Sequence, residues 1–236
     1  MRSSENYVSQ TNGYFLRFRE EMERLHAFGP HKAKSAGGTT IVAFLSHDRK
    51  NGIVASDGRV TAGPRIMTEE FRKVFGVRTG FVGCAGSLGA IQQVMSAYRV
   101  DLNNICDSRN VPMTASGSAK RLYQYYVEAS RAFGEEGGAQ FIPLFWDKES
   151  GECHLYALIG MCRLSGLFST STGSGSEPIS ERIKNFKPKE YRSADSLLAY
   201  AKDALRAANK MDSATNDHFF YGLIRNGVFS QGEGVL

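Results

Sequence analysis

Apolar residues follow two different periods along the chain, and their order predicts its elements. Phe15, Phe18, Met22 and Leu25 fall at helical spacing within Gly13–Leu25, with Arg17, Arg19, Glu20, Glu21 and Glu23 between them, so this stretch reads as an amphipathic helix. His26 to Gly38 is rich in Gly, Ala, Ser, Lys and Pro and reads as a linker. From Thr40 onward short β-prone runs take over, at Ile41–Ser46, Gly52–Ser56, Arg72–Val77 and Phe81–Ala85. A long helix is predicted from Ser87 to Ile105, with Leu88, Ile91, Val94, Met95, Tyr98, Leu102 and Ile105 inward. A second starts near Pro112 and carries Leu122, Tyr125, Tyr126 and Ala129. Strands return at Gln140–Asp147, Cys153–Ile159 and Leu164–Ser171. A third helix opens near Ser176, and a fourth spans Ser193–Asn209 with Leu197, Leu198, Ala201, Leu205 and Ala208 on one face. The last strands are Phe219–Ile224 and Gly227–Ser230. Strands, a helix pair, strands, then helices and strands again do not follow the alternation of a parallel doubly wound sheet. Two antiparallel sheets packed together and covered outside by helices accommodate this order. The expected organisation is a leader over residues 1–38 and one α+β domain over 39–236.

Composition narrows the function classes. The 236 residues, 42% hydrophobic and 22% charged, suit one sizeable globular core. No apolar run approaches the roughly 18 residues of a membrane span, and Met1 to Asn6 lacks the apolar stretch of a secretory signal. A cytoplasmic protein with no membrane partner is expected. The formal charge of +5 is spread among acids, without a basic block, so no nucleic-acid partner is expected either. Cys84, Cys106, Cys153 and Cys162 form no CxxC pair and no cluster with histidine; they read as buried, reduced thiols. Neither a metal nor an organic cofactor is indicated.

Candidate chemistry begins at Gly37-Gly38-Thr39-Thr40, immediately before the run Ile41–Leu45. Cleavage of the Gly38–Thr39 bond would give Thr39 both a hydroxyl and a free α-amine. Such an amine titrates near 7.7–8.0 and is a base available at neutral pH. A threonine hydroxyl beside its own amine is a recognised activated nucleophile. Taken alone, Gly-Gly before a strand is a turn. Four further motifs have equally plain readings. Ala55-Ser56-Asp57-Gly58-Arg59-Val60-Thr61 ends a strand in a turn-like Asp-Gly, and Phe71-Arg72-Lys73-Val74-Phe75 sets a lysine among apolar neighbours. Thr172-Gly173-Ser174-Gly175-Ser176 precedes a helix and could cradle an anion, while Asp212-Ser213-Ala214-Thr215 follows the fourth helix as a polar end.

Together and in this order, these motifs resemble those of 20S proteasome β subunits, the bacterial, actinobacterial type in particular. Thr39 to Ala43, Ser56 to Thr61, Lys73 to Phe75, Ala85-Gly86, Thr172 to Ser176 and Asp212 to Thr215 carry the resemblance, which covers Gly38 to the C-terminal region. It implies the N-terminal nucleophile hydrolase fold, a four-layer αββα sandwich of two antiparallel sheets. It also implies a threonine endopeptidase. Thr39 is then the nucleophile, Lys73 a fixed ammonium beside it and Asp57 the counter-charge of Lys73. The Gly86 N–H is the oxyanion donor, and Ser174, Asp212 and Thr215 are the shell that orients the amine. Arg59 and Thr61 fall on the substrate side, and Val60, Phe71, Phe75, Cys84 and Leu88 line an S1 pocket. None of those five is acidic, so apolar P1 side chains are expected over Lys or Arg. The implied partners are proteasome α subunits, other β subunits in stacked heptameric rings, an ATPase unfoldase and unfolded protein substrates.

The same resemblance makes residues 1–38 a removable propeptide, because the amine cannot act as a base while Gly38 is attached. Two departures stand out. Gly58 occupies a position where bacterial relatives commonly carry a second Arg, and Asn216-Asp217 stands where a Gly-Gly pair usually follows the Asp-Ser-Ala-Thr segment. The chain also stops at Leu236, without the longer tail of many relatives. The alternatives are a catalytically silent ring subunit, or a related enzyme such as the simpler two-tier bacterial protease or a small-amide amidohydrolase. A silent subunit usually lacks the Thr39 or Lys73 equivalent, and the two-tier protease lacks the Asp212–Thr215 segment.

Overall fold

The computed structural model describes residue 20 and residues 39–62, 65–109, 113–133, 139–159 and 162–236. The leader helix expected at Gly13–Leu25, the linker to Gly38 and the helix start near Pro112 lie outside the described residues.

Twelve strands are described: β1 (Thr40–Leu45), β2 (Asn51–Asp57), β3 (Val60–Ala62), β4 (Arg65–Thr68), β5 (Val74–Val77), β6 (Gly80–Gly86), β7 (Ala139–Asp147), β8 (Glu152–Ile159), β9 (Cys162–Leu167), β10 (Ser169–Gly173), β11 (His218–Arg225) and β12 (Val228–Val235). They form two five-stranded sheets, in the orders β10-β1-β2-β11-β12 and β5-β6-β7-β8-β9, and a separate β3-β4 hairpin. Every described pairing is antiparallel. The helices are α1 (Leu88–Arg109), α2 (Ala115–Phe133), the short α3 (Ser180–Lys184) and α4 (Ala194–Met211).

β1 shows how the pattern becomes a core. All six of its residues are buried, which a half-exposed strand could not be. Side chains alternate along a strand, so this one has two buried faces. Ile41, Ala43 and Leu45 join Phe81, Ile142, Leu144 and Leu155 of the second sheet in one cluster. Val42 and Phe44 point the other way, into a cluster with Leu197, Ala201, Ala204, Leu205 and Ala208 of α4. Alanine at four buried α4 positions (194, 201, 204 and 208) lets the helix lie close to the sheet. Helix α4 starts at a reciprocal cap: Ser193 Oγ accepts the Ser196 N–H at 3.1 Å and Ser196 Oγ accepts the Ser193 N–H at 3.3 Å. A third cluster joins α1 and α2 to the second sheet through Val94, Tyr98, Leu122, Tyr125, Phe141 and Phe145. Leu88, expected inward, is only half-buried at the head of α1.

Two of the expected elements and one cysteine differ from the pattern reading. The run Leu164–Ser171 is two strands in different sheets, parted at Phe168, whose carbonyl accepts the Leu45 N–H at 2.8 Å. The helix expected near Ser176 is a 3-10 turn over Ser174–Ser176, and α3 opens only at Ser180. Cys84, Cys106 and Cys153 are buried and free as expected, whereas Cys162 on β9 is exposed. Among the described residues no helix is long and apolar enough to cross a membrane.

Candidate active site

Strand direction brings the candidate motifs together. β1 runs antiparallel to β2 and β10, so its start lies beside the ends of both, with Ile41 opposite Ser56 and Thr40 opposite Gly173. β11 sets Phe219 opposite Asp57. Helix α4 ends at Asp212, whose N–H bonds the Ala208 carbonyl at 2.8 Å. Thr39, Asp57, Lys73, Ser174, Asp212 and Thr215 are thus linked through one end of the first sheet.

On one side of Thr39 is a buried ion pair. Asp57 is wholly buried and Lys73 is 3% exposed, with Nζ 3.0 Å from Asp57 Oδ1. Lys73 also donates to the Arg59 carbonyl. Asp57 accepts the Thr40 N–H at 2.7 Å on Oδ1 and the Arg59 N–H at 2.9 Å on Oδ2. Donors converging on both oxygens are the environment of a carboxylate. Burial pushes the Lys73 ammonium below an ordinary lysine, and the Asp57 charge opposes that shift. Burial likewise raises Asp57, against the pull of Lys73 and the Thr40 and Arg59 N–H groups. Thr40 is therefore bonded to the same oxygen that fixes the lysine, which ties the start of β1 to the cation.

On the other side is a polar shell. The Thr39 N–H donates to Ser174 Oγ at 3.3 Å, and Ser174 Oγ donates to Asp212 Oδ2 at 2.7 Å. Thr215 Oγ1 donates to the same Asp212 oxygen at 2.9 Å and lies 2.6 Å from Thr40 Oγ1. The Ala214 N–H completes the set on Oδ1 at 2.9 Å. Partial burial works to raise Asp212, but the Ser174, Ala214 and Thr215 bonds outweigh it and hold the carboxyl below its ordinary range. Ser174 and its neighbours thus serve the Thr39–Thr40 segment rather than a helix N-terminus.

Gly173 sets the approach of β10 to Thr39. Its φ is 95°, and a Cβ there would lie 1.8 Å from the Thr39 carbonyl oxygen. Both the conformation and the space require glycine. Gly173→Ala is expected to destabilise the protein by about 1–3 kcal/mol and to displace Thr39 from Ser174. A lowered melting temperature together with faster amide exchange at Thr39 checks this; unchanged values for both would contradict it.

The remaining candidates are placed as follows. Gly86 closes β6 with φ 105° and pairs with Ala139. Val60 and Cys84 are buried, while Phe71, Phe75 and Leu88 are half-buried. Local bonds draw this group toward the ion pair: the Cys84 N–H donates to the Lys73 carbonyl at 2.9 Å and the Phe71 N–H to the Gly58 carbonyl at 2.8 Å. Thr61 is buried on β3 opposite Ile66. The Arg59 guanidinium is taken up by Glu69 Oε2 at 2.9 Å and by the Ser213 carbonyl. Motif reading missed Thr40, Glu69 and Asn216 as partners within the site. Thr40 was visible as a second threonine in the motif, and Asn216 as a departure; nothing in the sequence marked Glu69.

Residues 35–224 match the proteasome subunit family. The chain belongs to this family. A proteasome subunit beta of Jonesia denitrificans is 30% identical over 185 residues, covering 75% of this chain and 59% of the relative. That of Methanosphaerula palustris is 26% identical over 212 residues, covering 85% and 92%. That of Nocardia farcinica is 26% identical over 209 residues, covering 84% and 71%. The chain therefore spans less than two thirds of the Jonesia relative and nearly all of the Methanosphaerula one. The resemblance to proteasome β subunits, actinobacterial ones included, accords with these matches.

Proposed function

We propose that this proteasome-family chain is a proteolytic β subunit, a threonine endopeptidase whose nucleophile is Thr39. The observation that carries this reading is the pairing around the start of β1: Thr39 N bonded to Ser174–Asp212 on one side, and Thr40 bonded to Asp57–Lys73 on the other.

Activation starts with the chain's own bond. Thr39 Oγ attacks the Gly38 carbonyl, its proton passing to a water, and the scissile C–N bond breaks to leave an ester on Oγ and a free α-amine. Water then hydrolyses the ester, releasing residues 1–38 and restoring the hydroxyl. In the mature site the amine takes the Oγ proton as Oγ attacks a peptide carbonyl, and later returns a proton to the leaving amine. The Lys73 ammonium favours the alkoxide character of Oγ, and Asp57 keeps that ammonium charged despite burial. The Gly86 N–H receives the oxyanion, and Ser174, Asp212 and Thr215 orient the amine. Thr61 and Arg59 flank an extended substrate in the strand-addition mode.

The domain over 39–236 stacks as an αββα sandwich of the N-terminal nucleophile type. It works in the cytoplasm within stacked heptameric β rings, capped by α subunits and fed unfolded chains by an ATPase. An S1 pocket of Val60, Phe71, Phe75, Cys84 and Leu88 offers no acid to a cationic side chain. Fluorogenic peptides ending in Leu, Tyr or Phe at P1 should turn over at least about 10-fold faster than Lys or Arg peptides, the scale of an unpaired buried charge. Assay of the assembled particle tests this, with Thr39→Ala as the blank. Thr39-dependent turnover supports the proposed function, and its absence contradicts it; faster cleavage after Lys or Arg overturns the pocket.

A further inference from the structure

We propose that Asn216 and Glu69 are positioning residues, a clasp that holds the Arg59 carbonyl and, through it, the Lys73 ammonium. The inference rests on the threonine-peptidase reading. Asn216 is 3% exposed, and its amide is used on both ends. Oδ1 accepts the Gly58 N–H at 2.9 Å, while Nδ2 donates to the Glu69 backbone oxygen and to Glu69 Oε2, each at 2.7 Å. Glu69 Oε2 also accepts Arg59 Nε at 2.9 Å, and the same guanidinium reaches the Ser213 carbonyl on the Asp212 loop. The backbone carbonyl of Arg59 is the second acceptor of Lys73. One side chain from the loop after α4 thus ties the turn after β2 to the segment leading into Lys73.

Gly58 makes the clasp sterically possible. A Cβ at this residue would sit 2.4 Å from the Glu69 carbonyl oxygen and 3.0 Å from His218 Cβ. At this close approach the Asn216 amide bridges the two backbones beside the direct bond from the Phe71 N–H to the Gly58 carbonyl. Gly58 and Asn216 both belong to the departures from the family pattern, and here they are bonded to one another. The Arg59 bond and the Asn216 bond hold the Glu69 carboxyl below its ordinary range, against partial burial. Glu69 therefore stays an acceptor for both partners at neutral pH. Without the clasp the turn that presents the Arg59 carbonyl keeps only the Arg59 N–H bond to Asp57 and the Phe71 N–H bond to the Gly58 carbonyl, and the ammonium shifts relative to Thr39. Misplacement on the scale of about 1 Å at a reacting centre costs about 10- to 100-fold in rate.

The test is peptide hydrolysis by the assembled particle, with kcat and KM measured separately and melting recorded on the same samples. Asn216→Ala and Glu69→Ala should each lower kcat about 10-fold or more with KM within about twofold, since an interaction acting on the reacting groups spares substrate binding. The double variant should be no worse than the poorer single one, because coupled residues are non-additive. Glu69→Gln keeps an oxygen acceptor for Arg59 and should recover at least half of the wild-type kcat. Unchanged kcat in a folded particle, additive losses, or a change confined to KM overturns the clasp. A wild-type particle without Thr39-dependent turnover overturns the peptidase reading instead. The clasp is then decided by amide exchange at Gly58, which Asn216→Ala accelerates if the clasp holds and leaves unchanged if it does not.

Discussion

Thr39→Ala is expected to leave the Gly38–Thr39 bond intact and to abolish peptide hydrolysis. Removing the nucleophile of an acyl-transfer site lowers kcat on the order of 10⁶-fold. The substitution removes one hydroxyl and one methyl from a small, buried side chain, while the backbone N–H bonded to Ser174 remains. Stability should therefore change by no more than about 1 kcal/mol, and the particle should still assemble. Thr39→Ser keeps the hydroxyl and should retain both cleavage and measurable turnover. An Ala variant that is cut and active would exclude Thr39 as the nucleophile.

Lys73→Ala is expected to be inactive as well, but for a reason that also appears in the folding equilibrium. The variant leaves the Asp57 carboxylate wholly buried with only the Thr40 and Arg59 N–H groups as partners. Breaking a buried pair from one side costs about 3–5 kcal/mol, because an uncompensated charge is left behind. Replacing both partners is different. Asp57→Asn with Lys73→Met removes both charges and keeps an oxygen acceptor for one of the two N–H groups, so part of the stability should return while activity does not. The single variant should thus melt well below wild type and the double variant above the single one, with both inactive. Activity in Lys73→Ala, or a double variant as unstable as the single one, would contradict the assignment. On the proposed mechanism the same pair sets the alkaline limb of the pH profile. Burial holds the Lys73 pKa below an ordinary lysine's, and the proposed mechanism uses the ammonium. Turnover should therefore fall as pH rises through that lowered pKa, before the range of an exposed lysine.

The core elements were legible because their apolar residues keep one period over a full element. Helix α4 is the clearest case: Leu197, Ala201, Leu205 and Ala208 lie on one stripe, and Ser193 marks its start. The six-residue run of β1 announced a strand, but not that its two faces enter different clusters. The crossing at Phe168 was not legible, since Leu164–Ser171 is uniformly β-prone and the change of sheet depends on which partner strand each half finds. The β3-β4 hairpin was missed for a similar reason: Ile66 and Met67 are exposed, so no alternation marks it.

In the candidate site, the residues were picked out by the resemblance of their motifs taken together, since each motif alone reads as a turn, a strand or a helix end. Asp57, Lys73, Ser174, Asp212 and Thr215 were all named from their motifs, and the structure links them around Thr39 and Thr40. Glu69 could not be read. It sits among ordinary acids, and its partners Arg59 and Asn216 are 10 and 147 positions away, so only tertiary contact reveals it.

The most direct measurement is the intact mass of this chain purified from a particle assembled with its α partner. A species beginning at Thr39, accompanied by an uncut species in the Thr39→Ala particle, is the predicted result. An assembled wild-type particle in which the chain still carries residues 1–38 would contradict the role of Thr39 as a nucleophile that frees its own base.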